Sequence, residues 1–107
     1  MKQHWEREIE FEGNKFRIKK LSPFEFPAFK MAFAKATSDG DTAALSKIYE
    51  TIATWTEVSF AGIWVPIYDK SSVTFVVDTL NDISKINQLL DLVLSELILP
   101  LFLNTAE

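Results

Sequence analysis

The run Leu97-Ile98-Leu99-Pro100-Leu101-Phe102-Leu103 does most to limit the folds open to this chain. On a helical period of about 3.6 residues, Ile86, Leu89, Leu90, Val93, Leu94 and Leu97 share one face. Asn87, Gln88, Asp91 and Ser95 lie opposite. Past Glu96 that opposition ends, and Ile98, Leu99, Phe102 and Leu103 fall on the side that carried the polar residues. A helix apolar all round must be buried all round. One core in a chain of 107 residues can hardly wrap such a segment, so the surplus points to a partner or to self-association. Asp91, Ser95, Glu96 and Pro100 interrupt the apolar stretch. A bilayer span needs about 20 mostly apolar residues, so no membrane partner is expected.

The length predicts a single domain over 1–107. Charged residues at 24% argue against disorder, and a net charge of −4 offers nothing to phosphate backbones or anionic lipid. There is no cysteine, which removes disulfides, thiolate metal sites and thiol nucleophiles. The polar start Met1-Lys2-Gln3-His4-Trp5-Glu6-Arg7-Glu8 lacks the apolar core of a secretory signal, so an intracellular protein is expected.

Residues 5–20 predict a β-hairpin. With Gly13-Asn14 as a two-residue turn, Glu12 faces Lys15, Glu10 faces Arg17 and Glu8 faces Lys19. Phe11 then meets Phe16, and Ile9 meets Ile18, on the buried face. Residues 22–55 predict helix. Ser22 caps, Pro23 takes the first helical position and Glu25 completes a capping box. Pro27 predicts either a kink or a regular helix that begins there. After Ser38-Asp39-Gly40, Asp41 caps a second helix over 42–54, with Leu45, Ile48, Ile52 and Trp55 on one face. Residues 57–80 predict a mixture: one or two extended segments bent at Ala61-Gly62, a turn at Asp69-Lys70-Ser71-Ser72, then a short strand or helix from Val73. Asn81-Asp82 caps a C-terminal helix within 82–103, kinked at Pro100. The fold class is α+β, helix-dominated, with an N-terminal β-hairpin and three to four helices.

Chemistry-bearing patterns are sparse. His4 is the lone histidine and reads as a spacer near a terminus. Asp39-Gly40-Asp41 lacks the later oxygen ligands of a calcium loop, and its second aspartate serves better as a helix cap. Three glycines do not form a phosphate cradle of recognised spacing. Ser22, Ser46 and Ser84 have no histidine in sequence reach. No catalytic, cofactor-binding or metal-ligating residues are assigned, and a non-enzymatic protein is expected. Lys15, Arg17, Lys19 and Lys20 form the one basic cluster, largely neutralised in the proposed register, so no nucleic-acid partner is expected. The Trp5, Phe11 and Phe16 rings make a poor stacking platform beside their evident use in a core.

Aromatic usage is the stronger signal. There are nine phenylalanines, and Phe24, Phe26, Phe29 and Phe33 crowd into ten positions. The two proline-punctuated apolar segments, 22–36 and 97–103, exceed what a helix against a hairpin needs. Large apolar patches on a monomer usually mark interaction surfaces. The partner-binding candidates are therefore Phe24, Phe26, Phe29, Phe33, Ile98, Leu99, Phe102 and Leu103, and self-association is expected with them.

The order of features also carries a resemblance. A short hairpin runs through "KFRIKKLSP" into a helix, an acid-capped helix comes next, then Gly62-Ile63-Trp64-Val65-Pro66, and a Leu-rich helix ends in "LPLF". Over roughly residues 8–103 this resembles the tail assembly chaperones of long-tailed (siphovirus-type) bacteriophages. The resemblance implies a protein of the infected host cell's cytoplasm that binds the long, helical tape measure protein. It would keep that client soluble until tail tube subunits displace it, and be left out of the mature virion. Many such proteins also have a longer frameshifted form, whose extra domain this sequence does not contain. The alternative is a small self-associating structural or adaptor protein, phage or bacterial, without chaperone activity.

Overall fold

The computed structural model describes residues 3–104, with side chains as far as Phe102. It is an α+β fold dominated by helix. A one-turn 3-10 segment, His4–Glu6, leads into strands β1 (Ile9–Phe11) and β2 (Asn14–Ile18). Helices α1 (Glu25–Asp39) and α2 (Thr42–Trp55) come next, then β3 (Thr56–Phe60) and β4 (Ile63–Pro66). The four strands form one antiparallel sheet in the order β1-β2-β3-β4, so the helical pair is an insertion between its two central strands. A second, two-stranded ribbon, β5 (Tyr68–Asp69) and β6 (Thr74–Phe75), precedes a 3-10 turn at Asp78–Asn81. The chain ends in α3 (Ile83–Val93), a π-turn (Leu94–Ile98) and α4 (Leu99–Asn104).

Two hairpins with the same kind of turn build the main sheet. Glu12 and Gly13 have φ of 51° and 80°, and Ala61 and Gly62 have 52° and 84°. Two successive positive φ values are the type I′ pattern, whose twist matches that of paired strands. The expected Gly13-Asn14 turn is thus corrected to Glu12-Gly13. Ile9 pairs with Phe16, Glu10 with Lys15 and Phe11 with Asn14. The slip is two residues, so Ile9, Phe11, Phe16 and Ile18 keep the inward face, while the expected Phe11–Phe16, Ile9–Ile18, Glu12–Lys15, Glu10–Arg17 and Glu8–Lys19 pairings are lost. Exposed ion pairs contribute only about 0–1 kcal/mol each and do not outweigh turn geometry. The charges find other partners: Arg17 with Glu57 on β3 (3.0 Å), Lys19 with Glu25 on α1 (2.8 Å), and Glu12 with Lys85 on α3 (2.8 Å).

The helix boundaries reflect local chemistry. Ser22 Oγ accepts hydrogen bonds from the Phe24 and Glu25 amides, and Glu25 Oε1 accepts from the Ser22 amide at 2.9 Å, which completes the capping box. Pro27 lies in the first turn of α1, where an N–H would have no intrahelical partner, so the regular helix begins before it, at Glu25. Gly40 ends α1 at φ 63°, the left-handed conformation glycine adopts without penalty. Asp41 Oδ1 then caps α2 through the Ala44 amide at 3.1 Å. Asp82 caps α3 through the Ser84 and Lys85 amides.

The inner face of the sheet and the helices enclose one core, which takes Phe16, Ile18 and Val58 from strands, Phe29, Ile48, Ile52 and Trp55 from α1 and α2, and Leu89, Leu90 and Val93 from α3. Thr56 is the one buried polar residue among those described; its hydroxyl donates to the Ile52 carbonyl at 2.7 Å. At the C-terminal end the expected kink at Pro100 takes the form of a widened turn just before it. The Leu99 amide donates to the Leu94 carbonyl, five residues back. Pro100 has no N–H, and its ring would press on the Glu96 carbonyl in α geometry. The added residue rotates the rest of the helix by about 100°. Ile98 therefore continues the stripe of Val93, and Phe102 continues that of Ile98. Ile98 is fully buried, although an unbroken α-helix would aim it at the polar side.

Candidate interaction surface

Helix α1 is apolar on two sides, and the structure uses them differently. On the inner side Phe29 stacks on Phe33, ring centroids 6.0 Å apart and nearly parallel, and leans on Trp55 of α2 at 4.9 Å. Phe102 of α4 sets its edge against Phe26 (5.4 Å), Phe33 (5.7 Å) and Phe29 (6.3 Å). The two segments that looked like surplus in the sequence are thus in large part each other's partner. Of the candidates, Phe29 and Ile98 are core residues, and Phe26, Phe33, Leu99 and Phe102 are half-buried. Phe24 alone stands out from the surface, 83% exposed. The side chain of Leu103 lies outside the described residues.

On the outer side, Phe24 is joined by Met31, 75% exposed, with Pro27, Ala28 and Ala32 exposed between them. At about 100° per residue, Met31 sits opposite Phe29, and that spacing was the available signal for a residue absent from the candidate set. Beside the stripe runs a shallow groove of about 320 Å³ between α1 and α2, lined by Ala28, Phe29, Ala32, Ile48 and Trp55 with Glu25 and Thr51 at its margins. At the N-terminal end of α1 a second groove, about 390 Å³, lies among His4, Leu21, Pro23, Phe26, Pro27 and Leu101. A separate apolar site lies at the tip of the second hairpin, where Ile63 is 67% exposed at the start of the edge strand β4.

The remaining side chains settle into structural positions. Arg17 stacks over Trp64 at 4.3 Å on the outer face of the sheet, which places Trp64 half-buried there rather than in the core. Lys20 lies over Trp5 at 4.8 Å. Tyr49 donates to Asp91 at 2.8 Å, and the adjacent carboxylate raises the phenol's pKa. The Lys19 ammonium and the Ser22 amide hold the Glu25 carboxyl below the usual carboxylate range. His4 is not a free spacer: its Nε2 accepts a hydrogen bond from the Leu21 amide at 2.9 Å. Among the described residues no cluster of three or more histidine, aspartate or glutamate side chains is arranged to hold a metal ion. No helix of the described residues is long and apolar enough to cross a membrane. Comparison with protein-family models, with curated proteins and with solved structures finds no match.

Proposed function

We propose that this chain is a non-enzymatic assembly chaperone of the phage-tail type, which holds a tape measure protein soluble in the host cytoplasm until tube subunits replace it. The observation that carries the reading is the outward apolar stripe Phe24–Pro27–Ala28–Met31 on a helix whose other side already fills the core. Burying such side chains favours binding by about 1.5–3 kcal/mol per large residue. That suits a holdase working in many copies with weak affinity per copy, because a better-matched competitor then displaces it without an energy source. Its exclusion from the mature virion is a consequence of that displacement. The resemblance in element order and the hairpin–"LSP" junction point the same way.

Co-expression with the tape measure protein tests this. The client is expected in the soluble fraction with the wild-type chain and in the pellet with Phe24→Asp/Met31→Asp. The double variant's thermal midpoint should stay near wild type, because both side chains are exposed. A client that aggregates equally in every case rejects the chaperone reading. The alternative, a self-associating structural or adaptor subunit, is favoured by Ile63 on the free edge of β4. Concentration-dependent association that Ile63→Lys abolishes, together with no effect on the client, would select it.

A further inference from the structure

The N-terminal 3-10 turn at His4–Glu6 is joined to the rest of the fold by a histidine hydrogen bond. Gln3 and Glu6 fold it into a unit, the Gln3 amide donating to Glu6 Oε1 at 2.9 Å. His4 projects from this unit onto the junction between β2 and α1. Its Nε2 accepts from the Leu21 amide at 2.9 Å. The acceptor role requires an unprotonated Nε2, so the ring is the neutral tautomer with its proton on Nδ1. The imidazole also forms one wall of the groove among Leu21, Phe26 and Leu101.

We propose that His4 is a proton-operated clasp: neutral, it pins residues 3–6 across the groove between Leu21 and Leu101, and protonated, it releases them. A proton on Nε2 turns the acceptor into a donor that faces another donor, so the Leu21 amide, on a residue only 8% exposed, loses its partner. The charged groups around this corner add to the effect. Lys20, in the link between β2 and α1, disfavours a second positive charge, and Lys19 is engaged by Glu25 of α1. Glu6, on the same turn as His4, is engaged by the Gln3 amide, and α4 contributes the apolar Leu101 to the groove. Partial burial and Lys20 together hold the imidazole pKa below its ordinary value of 6.5. The unfolded chain therefore binds the proton more readily than the folded one. The clasp's stabilisation is fully present above 6.5 and is lost as pH falls through the lower folded-state value.

Amide hydrogen exchange by NMR on the full chain, with rates normalised for intrinsic pH dependence, tests the proposal. Protection of the Leu21 amide should fall by about fivefold or more as the His4 ring titrates. His4→Gln keeps a carboxamide acceptor that does not titrate and should make Leu21 protection independent of pH over the same range. His4→Ala should leave Leu21 poorly protected throughout, while amides in α2 and α3 stay protected. Leu21 protection that ignores the His4 titration, or a His4→Gln profile identical to wild type, overturns the proposal.

Discussion

Replacing Phe29 with alanine is expected to destabilise the protein by about 3–5 kcal/mol, much of what a domain of this size possesses. Phe29 is 4% exposed and touches rings from three helices: Phe33 of its own, Trp55 of α2 and Phe102 of α4. Truncation removes buried apolar area and leaves a void that the three elements cannot close together, because α1 and α2 are also tied to the sheet. Phe24→Ala, five positions earlier on the exposed side, should change stability by no more than about 0.5 kcal/mol. Urea unfolding of the two variants measures both. Equal losses, or a Phe29→Ala cost below about 1 kcal/mol, would mean that the aromatic cluster does not hold α1 to α4.

Ile98→Ala is the second large loss, about 2–5 kcal/mol, and it reads out the π-turn directly. With the widened turn, Ile98 is completely enclosed while Leu99 is half-buried, so Leu99→Ala should cost clearly less. An uninterrupted α-helix would carry the stripe of Val93 through Leu97 and point Ile98 towards the side of Asn87 and Asp91. In that geometry Ile98→Ala would be nearly silent. The order of the two costs, obtained from the same denaturant titrations, distinguishes the two helical phases.

These contrasts mark how far the sequence could be read. The caps at Ser22, Asp41 and Asp82 were legible because each is a contact between residues two or three apart, set by side-chain chemistry alone. The inward face of the first hairpin was legible from its alternation. Its register was not, because the opposite charges that suggested one register are satisfied outside the hairpin, by β3, α1 and α3, the first and last of them distant in sequence. The four-stranded sheet was hidden for the same reason: β2 meets β3 only after two helices. Pro100 announced an irregularity, but the direction in which the helix would rotate depends on the packing of Ile98 and Phe102. Counting apolar residues found the right segments and could not tell which of them face each other. Hence Phe24 kept its place on the surface, Phe29 and Ile98 went to the interior, and Met31 joined the exposed stripe.

The insertion of α1 and α2 between the central strands has a consequence for the order in which the molecule assembles. Arg17 and Glu57 are 40 positions apart, yet they lie side by side once the helices have formed. The helical pair needs only contacts across the Gly40-Asp41 turn, so it can form early at small entropic cost, and its formation shortens the loop that β2 and β3 must close. Folding then runs from the middle of the chain outwards, with β1 and β4 zipping onto a ready pair of central strands. Kinetic measurements should show Ile48→Val slowing refolding, and Val65→Ala mainly speeding unfolding. The edge strands β1 and β4 are then the last parts of the sheet to be paired and the first to be released.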